Sequence, residues 1–370
     1  MNVKSAHGAS FLFERWFPTP QLLAPRSVGI DISDGSIKWL GLSATDNSSF
    51  KVTTYGVIAL SAGIVSGGIV RDAFALGAAL AQVKKEIGGG VAAHAALPEE
   101  VAYVFSMHVN DETSREQILK LVEFEFEGRV PIPPSAAVYD FDVIQHEQGK
   151  GMDIGIAAFP KEVAEAYVSA FNTAGIELLS LEIEARSVSR AVSGNSAHEP
   201  TTLLVDFGVA RTGFALLKEG IPIFTSTVEV GGEAISKAAL EKLSLSDEEA
   251  EKFKNQEGLY SKRAGAAPAI EIMTKVSAAL SEEIMRHFHY WDTRKDEHGD
   301  RVTPVERVIV VGGSANLNGL TEFIARKVQV PVERGDIWRN ICSFDEYIPP
   351  IDNRSSLQYA TAAGLALRGV

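Results

Sequence analysis

Val28-Gly29-Ile30-Asp31-Ile32-Ser33 decides the fold of this chain, because Leu203-Leu204-Val205-Asp206-Phe207-Gly208 repeats its pattern further along. In both stretches an apolar run leads to an aspartate, and a turn of small residues then leads into a second apolar run. The pattern predicts a strand, a tight turn and a second strand in each copy. Asp31 and Asp206 occupy matching positions, so the chain is expected to contain two related halves.

The paired aspartates indicate a site for a metal and a phosphate chain. Turns rich in glycine, serine and threonine can point backbone amides and hydroxyls at phosphate oxygens. Magnesium usually takes one or two carboxylates and completes its coordination with water and phosphate oxygens. One aspartate from each half suits this preference. The alternative is that each aspartate only caps its own turn.

The composition limits the classes of protein that the chain can represent. Its 370 residues exceed one ordinary core and predict two or three domains. The formal net charge of -13 argues against a nucleic-acid partner, because such binding depends on clustered lysine and arginine. Cys342 is the single cysteine, which excludes an intrachain disulfide and a thiolate zinc site. A reducing, cytoplasmic setting is therefore expected.

The sequence lacks an apolar stretch long enough to cross a membrane. The longest, 57–70, is interrupted by serines and glycines and is shorter than about 18 residues. Near the start, Phe11-Leu12-Phe13-Glu14-Arg15-Trp16-Phe17 forms an aromatic cluster. This cluster either docks on a membrane surface or a partner, or it belongs to an extension that packs on its own domain or is disordered.

Two further regions complete the expected architecture. Between the two copies, strand and helix patterns over 91–183 predict a compact α+β insertion. After the second copy, 231–301 is predicted to be helical, and an apolar strand then runs into Gly312-Gly313-Ser314. Bare backbone at such a turn leaves room for a ligand. The chain lacks the P-loop motif, which excludes that route to nucleotide binding.

These motifs together carry a family resemblance. The two hairpins and Val310-Val311-Gly312-Gly313-Ser314-Ala315 resemble the phosphate and adenosine motifs of the actin-like ATPase superfamily. Within it the chain is similar to the PilM family of type IV pilus assembly proteins, which is related to the division protein FtsA. Arg129-Val130-Pro131-Ile132-Pro133-Pro134 and Tyr139-Asp140-Phe141-Asp142 support this resemblance. It implies an α/β, actin-like ATPase fold, with two duplicated RNase H-like domains around a nucleotide cleft and an inserted small α+β module.

The resemblance also implies a division of the chain into parts. After an N-terminal extension, 1–25, the chain forms two walls, an inserted module and a helical subdomain beside the adenosine. The first wall comprises 26–90, 184–199 and 341–370, and the inserted module comprises 91–183. The second wall comprises 200–230 and 302–340, and the helical subdomain comprises 231–301.

The resemblance assigns roles to particular residues. Asp31 and Asp206 would hold Mg²⁺ and act in catalysis, together with Glu184 as the residue that orients the attacking water. The residues expected to bind ATP from the first wall are Ser33, Ser36 and Lys38, and those from the second are Gly208, Thr212, Gly231, Gly232, Gly312, Gly313 and Ser314. Glu251 and Lys254, which share one face of a predicted helix, would reach the ribose and base.

The residues themselves leave several of these roles open. Lys38 either reaches a phosphate or lies on the exposed face of its strand. Arg211 stands in the second turn, where a small residue is commoner, and either contacts a phosphate or points to solvent. Glu184 either orients water or only complements a helix N-terminus. Glu251 and Lys254 either contact the nucleotide or form an ordinary surface ion pair.

The function implied by the resemblance is that of a cytoplasmic ATP-binding scaffold in type IV pilus assembly. It would bind the short cytoplasmic N-terminal peptide of a PilN-like inner-membrane protein, and so lie at the inner face of the bacterial inner membrane without entering it. Pilus assembly ATPases and self-association are further partners that the resemblance suggests. ATP binding is expected, and weak hydrolysis is left open. The alternatives are an FtsA-like filament-forming protein and a small-molecule kinase of the same superfamily.

Overall fold

The computed structural model describes residues 26–45, 49–147, 149–194, 199–295 and 302–370. The expected N-terminal extension and its aromatic cluster lie outside these residues, as does the end of the expected helical subdomain. Two five-stranded sheets and a separate three-stranded sheet form the framework. A two-stranded hairpin, β4 (Val65–Ser66) with β5 (Ile69–Val70), lies beside them.

The first sheet begins with the predicted hairpin. β1 (Ser27–Ile32), β2 (Ser36–Ala44) and β3 (Phe50–Ala59) form an antiparallel meander. β6 (Ala92–Leu97) pairs in parallel with β1, and β10 (Glu177–Ile183) pairs in parallel with β6. The resulting order is β10-β6-β1-β2-β3.

The second sheet repeats this plan. β11 (Thr202–Phe207), β12 (Thr212–Lys218) and β13 (Ile221–Val228) form an antiparallel meander. β14 (Arg307–Val311) pairs in parallel with β11, and β15 (Val332–Arg334) pairs in parallel with β14. The order β13-β12-β11-β14-β15 corresponds strand for strand to that of the first sheet. The fold is therefore a duplication, as the sequence predicts.

The third sheet forms a module with its own core. It contains β7 (Tyr103–Val109), β8 (Ala137–Glu147) and β9 (Gly151–Pro160) in the order β7-β9-β8. Helix α2 (Arg115–Arg129), which begins with a capping box at Ser114, buries its apolar face against this sheet. The buried core residues include Phe105, Ile118, Val122, Phe126, Ile154 and Ile156.

The extent of this module differs from the expected 91–183. β6 and β10, which the sequence assigns to the insertion, pair instead with the first sheet. All six residues of β6 are buried, as expected for a central strand that is covered on both faces. We therefore propose 103–160 as the limits of the module.

Helices cover the sheets and fasten the two halves together. α1 (Ala73–Ile87) packs on α3 (Lys161–Ala174), and α4 (Glu184–Val192) packs on α10 (Ala360–Arg368). α10 also lies on β1, β2 and β6, while α4 contacts strands of both walls. The other α-helices of the described ranges are α5 (Glu233–Leu243), α6 (Asp247–Gln256), α7 (Ala267–Asp292), α8 (Leu320–Val328) and α9 (Asn353–Ser356).

Within the described ranges, each helix is too short or too polar to cross a bilayer.

Candidate functional site between the two walls

A cavity of about 670 Å³ lies where the two duplicated hairpins face each other. The first hairpin lines it with residues around the β1–β2 turn, and the second does so with residues around the β11–β12 turn. Three acidic side chains of the first wall and the turn after β14 complete the lining. The main lining residues are Asp31, Ser33, Asp34, Ser36, Lys38, Glu99, Glu100, Glu184, Asp206, Gly208, Arg211, Glu233, Gly312 and Gly313.

The two matched aspartates reach this one cavity. Each is the penultimate residue of the first strand of its sheet, so the duplication directs both to the same place. Asp31 lies opposite Lys38 in the antiparallel register, and Lys38 Nζ is 3.3 Å from Asp31 Oδ2. Lys38 therefore faces the cavity rather than solvent.

Asp31 and Lys38 both interact electrostatically with Asp206. Burial lowers the pKa of Lys38, but the nearby Asp31, with a smaller contribution from Asp206, raises it overall. Burial, reinforced by the charge of Asp31, raises the pKa of Asp206 to about 6. The carboxylates thus repel one another across the cleft, and one buried ammonium group partly compensates them.

Gly312 lets the backbone pass beside Asp206. Its φ of 88° lies in the region that favours glycine, and a Cβ added there would collide with Asp206 Oδ1. The turn after β14 can therefore border the cavity only while this position lacks a side chain. Gly313 lines the cavity next to it.

Two acidic residues that the sequence analysis missed enter the cavity from a short turn after β6. Burial, followed by the charges of Asp206 and Glu100, raises the pKa of Glu99 to about 8. The backbone amide of Ala185, at the start of α4, donates a hydrogen bond to this carboxyl. The detectable signal was Leu97-Pro98-Glu99-Glu100, in which two acids follow a buried strand.

Glu184 lies beside this pair. It is the first residue of α4, and it lines the same cavity. Burial, then the charges of Glu99 and Asp31, raise its pKa well above the usual value. A carboxyl in this position can hold a proton or accept one from water near the aspartates.

Arg211 points into the cavity and bridges the two walls. From the second hairpin, its Nε lies 2.5 Å from Glu100 Oε1, and its Nη2 lies 3.2 Å from Asp34 Oδ1. Asp34 also accepts backbone hydrogen bonds from Gly67 and Gly68 at 3.0 and 3.1 Å. Arg211 therefore contacts carboxylates of the first wall, and its contact with a phosphate stays a prediction.

Several residues that are expected to bind nucleotide also make close contacts within the second wall. The buried Thr212 hydroxyl donates to the carbonyl of Val230 at 2.5 Å, and Ser314 Oγ donates to the carbonyl of Gly208 at 2.9 Å. Gly231 and Gly232 pass so close to neighbouring loops that a Cβ at either would overlap them. The expected contacts of Thr212, Ser314, Gly231 and Gly232 with nucleotide stay predictions, and these four residues lie outside the lining of the cavity.

Glu251 and Lys254 also lie outside the lining of this cavity. They pair with each other on α6, with Lys254 Nζ 2.5 Å from Glu251 Oε2. Glu251 is half exposed, and the side chain of Lys254 is almost fully buried. The structure therefore shows the ion pair and no direct approach of it to the cavity.

The donor set of the cavity fits a magnesium–nucleotide complex. Its volume lies within the usual range for small-molecule sites. Asp31 and Asp206 both line the cavity, and Mg²⁺ usually takes one or two carboxylates and completes its coordination with phosphate oxygens and water. Glu100 Oε2 is buried without a hydrogen-bond partner in the described structure. An acceptor of this kind indicates that a cation or donor completes the site.

The duplicated sheets around an acidic cleft define an actin-like protein. A solved PilM–PilN type IV pilus biogenesis complex matches with a TM-score of 0.73 and 18% identity, over 93% of this chain and 98% of that chain. The sequence profile of the type IV pilus assembly protein PilM family matches residues 29–370. The chain therefore belongs to the PilM family and is an actin-like protein of type IV pilus assembly.

More distant structures share the fold. The ethanolamine utilization protein EutJ from Carboxydothermus hydrogenoformans matches with a TM-score of 0.52 and 19% identity, over 95% of this chain and 91% of that chain. MreB 5 of Spiroplasma citri bound to AMPPNP matches with a TM-score of 0.54 and 12% identity, over 93% and 95%. At these identities the likeness establishes the actin-like fold alone.

Proposed function

We propose that the cleft binds Mg²⁺ and ATP between the two walls. The observation that carries this proposal is that Asp31 and Asp206, at equivalent positions of the duplicated hairpins, line one cavity. Mg²⁺ supplies the charge that these carboxylates need in order to accept a phosphate chain. Without it, the raised pKa of Asp206 shows how poorly the site accommodates further negative charge.

Different residues of the cavity bind different parts of the Mg·ATP complex. Asp31 and Asp206 hold the metal, directly or through its water, and Lys38 offers a positive charge next to Asp31. Ser33 and Ser36 at the first turn and Gly208 at the second supply hydroxyl and backbone groups to the phosphates. Gly312 and Gly313 border the adenosine, and Glu184 is the candidate to orient water for hydrolysis.

Calorimetric titration with Mg·ATP tests the site. Asp31→Asn and Asp206→Asn each keep the size of the side chain but remove charge, so each should weaken binding by at least about 10-fold. Asp345→Asn is the matched control, because Asp345 is exposed and lies outside the cavity. Unchanged affinity in both cleft variants would contradict the proposal.

We also propose that the chain binds the cytoplasmic N-terminal peptide of a PilN-like inner-membrane protein in a groove between the first wall and the module. The similarity to a PilM–PilN complex supports this partner. The module contacts both walls. Arg186 Nε of α4 lies 2.7 Å from Asp142 Oδ2 on β8, and Lys218 Nζ of β12 lies 2.8 Å from Asp153 Oδ2 on β9.

These two ion pairs hold the module to both walls of the nucleotide cleft. If ATP changes the angle between the walls, a module held by both must shift relative to at least one of them. Nucleotide would then alter peptide affinity, and the partner would hold this cytoplasmic chain at the inner face of the membrane. A labelled PilN-like N-terminal peptide titrated with and without Mg·ATP tests both steps. Absence of binding contradicts the partner, and equal affinities contradict the coupling.

A further inference from the structure

We infer that Arg211 makes the cleft selective for nucleoside triphosphates over diphosphates, by exchanging its carboxylate partners on the first wall for the terminal phosphate. The inference rests on the proposed nucleotide site and goes beyond it. It names which part of the nucleotide is distinguished and the side chain that does so.

The position of Arg211 makes this exchange geometrically direct. It stands in the β11–β12 turn, the second of the two turns that face the phosphates, and its guanidinium crosses the cavity to Asp34 and Glu100. A guanidinium is a planar fork that fits carboxylate and phosphate oxygens equally well. The terminal phosphate can therefore replace Asp34 and Glu100 as the anionic partner of Arg211.

The charges of the cavity require such an exchange. Among the lining residues of the described chain, Lys38 and Arg211 are the only two basic side chains, and Lys38 is paired with Asp31. An additional phosphate must therefore be neutralised by the metal or by Arg211. The acidic side chains that face these two cations are Asp31, Asp34, Glu99, Glu100, Glu184, Asp206 and Glu233.

Of the two partners of Arg211, Asp34 can release it at modest cost. Asp34 is 38% exposed in its side chain, and it keeps two backbone hydrogen bonds, from Gly67 and Gly68, when the guanidinium leaves. Partly exposed ion pairs contribute little net stability. Glu100 is less exposed, at 20%, so its charge competes more strongly with the phosphate for Arg211. A diphosphate lacks the group that would win this competition.

The test measures the dissociation constants of Mg·ATP and Mg·ADP for the whole chain. The variants are Arg211→Gln, Glu100→Gln and the double variant, and the control is Arg286→Gln on the exposed side of α7. Arg211→Gln should weaken ATP binding by about 10-fold and change ADP binding by less than about 2-fold. Glu100→Gln should increase the preference for ATP only while Arg211 is present, because it removes the competitor.

The outcomes separate this inference from the proposed function. Equal losses of ATP and ADP affinity in Arg211→Gln, or a Glu100→Gln effect on the ATP preference that persists in the double variant, would overturn the inference alone. Failure of the unaltered chain to bind either nucleotide would overturn both. If Arg211→Gln does not fold, Arg211→Lys keeps the charge without the fork and should lose part of the ATP preference; a preference that stays unchanged contradicts the inference.

Discussion

Glu99 combines burial with proximity to two other carboxylates, and its ionisation therefore opposes folding. The pKa of this carboxyl rises from 4.5 to about 8 in the folded chain. A raised folded-state pKa means that the stability it supports is complete below pH 4.5 and is lost as the pH rises toward 8. The contribution of Glu99 to the stability of the ligand-free chain is therefore greatest at acidic pH.

Glu99→Gln should stabilise the ligand-free chain in a pH-dependent manner. The amide keeps the shape of the side chain and cannot ionise, so the variant escapes the penalty that the native residue meets as the pH rises. Urea unfolding should show a gain of at least about 1 kcal/mol at about pH 9 and little gain at about pH 5. Glu112→Gln, in a loop of the module, is the control. A gain that is equal at both pH values would contradict the assigned pKa.

At this scale the sequence analysis named three acidic residues that line the cavity, Asp31, Asp206 and Glu184, and missed Glu99 and Glu100. Asp31 and Asp206 could be matched because each ends a strand of a repeated hairpin, and local pattern is enough to show that. Glu99 reaches the same cavity because β6 pairs with β1. The local pattern shows that two acids follow a buried strand, but it does not show which strand lies beside β6. The hydrogen bond from the Thr212 hydroxyl to the carbonyl of Val230 also joins positions 18 residues apart, and the sequence pattern does not show it.

Helices α4 and α10 pack so closely that one glycine determines their separation. A Cβ at Gly364 would collide with the carbonyl of Ser187 on the facing helix. Ser187 also donates its hydroxyl to the carbonyl of Thr361 at 2.6 Å, so the contact is both close and polar. Because α4 carries Glu184 into the cleft, this packing sets the position of that carboxyl.

Gly364→Ala should destabilise the chain by about 1 to 3 kcal/mol, because backbone atoms must move to admit the methyl group. Gly128→Ala is the matched control, since Gly128 lies in α2 with open space where its Cβ would be. There the same change should be neutral or stabilising by up to about 1 kcal/mol, through helix propensity. Thermal or urea unfolding of the two variants measures both effects. Equal effects would show that the close approach has no energetic weight.

The strands and most helices were predictable, whereas their grouping was not. Periodicity and turn residues reveal a strand such as Glu177–Ile183, because those signals are local. Membership of a sheet depends on pairing across the whole intervening module. The sequence analysis places β10 within the inserted module, whereas in the structure β10 pairs with β6 of the first sheet. The two five-stranded sheets have the same strand order. In a duplicated fold, the strands of one sheet can therefore be used to predict which strands belong to the other.

At the scale of the whole molecule, the module contacts both walls. The chain enters it from the first wall, yet β13 of the second wall packs beside its strands. Gly155 on β9 approaches Ile221 so closely that a Cβ there would lie 2.8 Å from that side chain. This contact can transmit a movement of the second wall to the module only if it persists both with and without nucleotide.

Lys218→Met should uncouple the proposed peptide site from the nucleotide. The change removes the ion pair with Asp153 while keeping the length of the side chain. Peptide affinity measured with Mg·ATP should then approach the value measured without it, and ATP affinity should stay within about 2-fold. Lys275→Met, in an exposed pair on α7, is the control. Coupling that survives intact in Lys218→Met would mean that this contact does not carry it.

The covering of β1 by α10 has a consequence for biosynthesis. Gly29 lies directly against Ala362 and Leu365, so β1 is buried by a helix that is translated after the strands of both five-stranded sheets. Until that helix emerges, one face of the first sheet has no cover and presents apolar side chains to any chaperone or neighbouring nascent chain. The first wall can therefore complete its packing only after Ala360–Arg368 has been translated, and we expect a chain truncated before Ala360 to aggregate more readily than the whole chain.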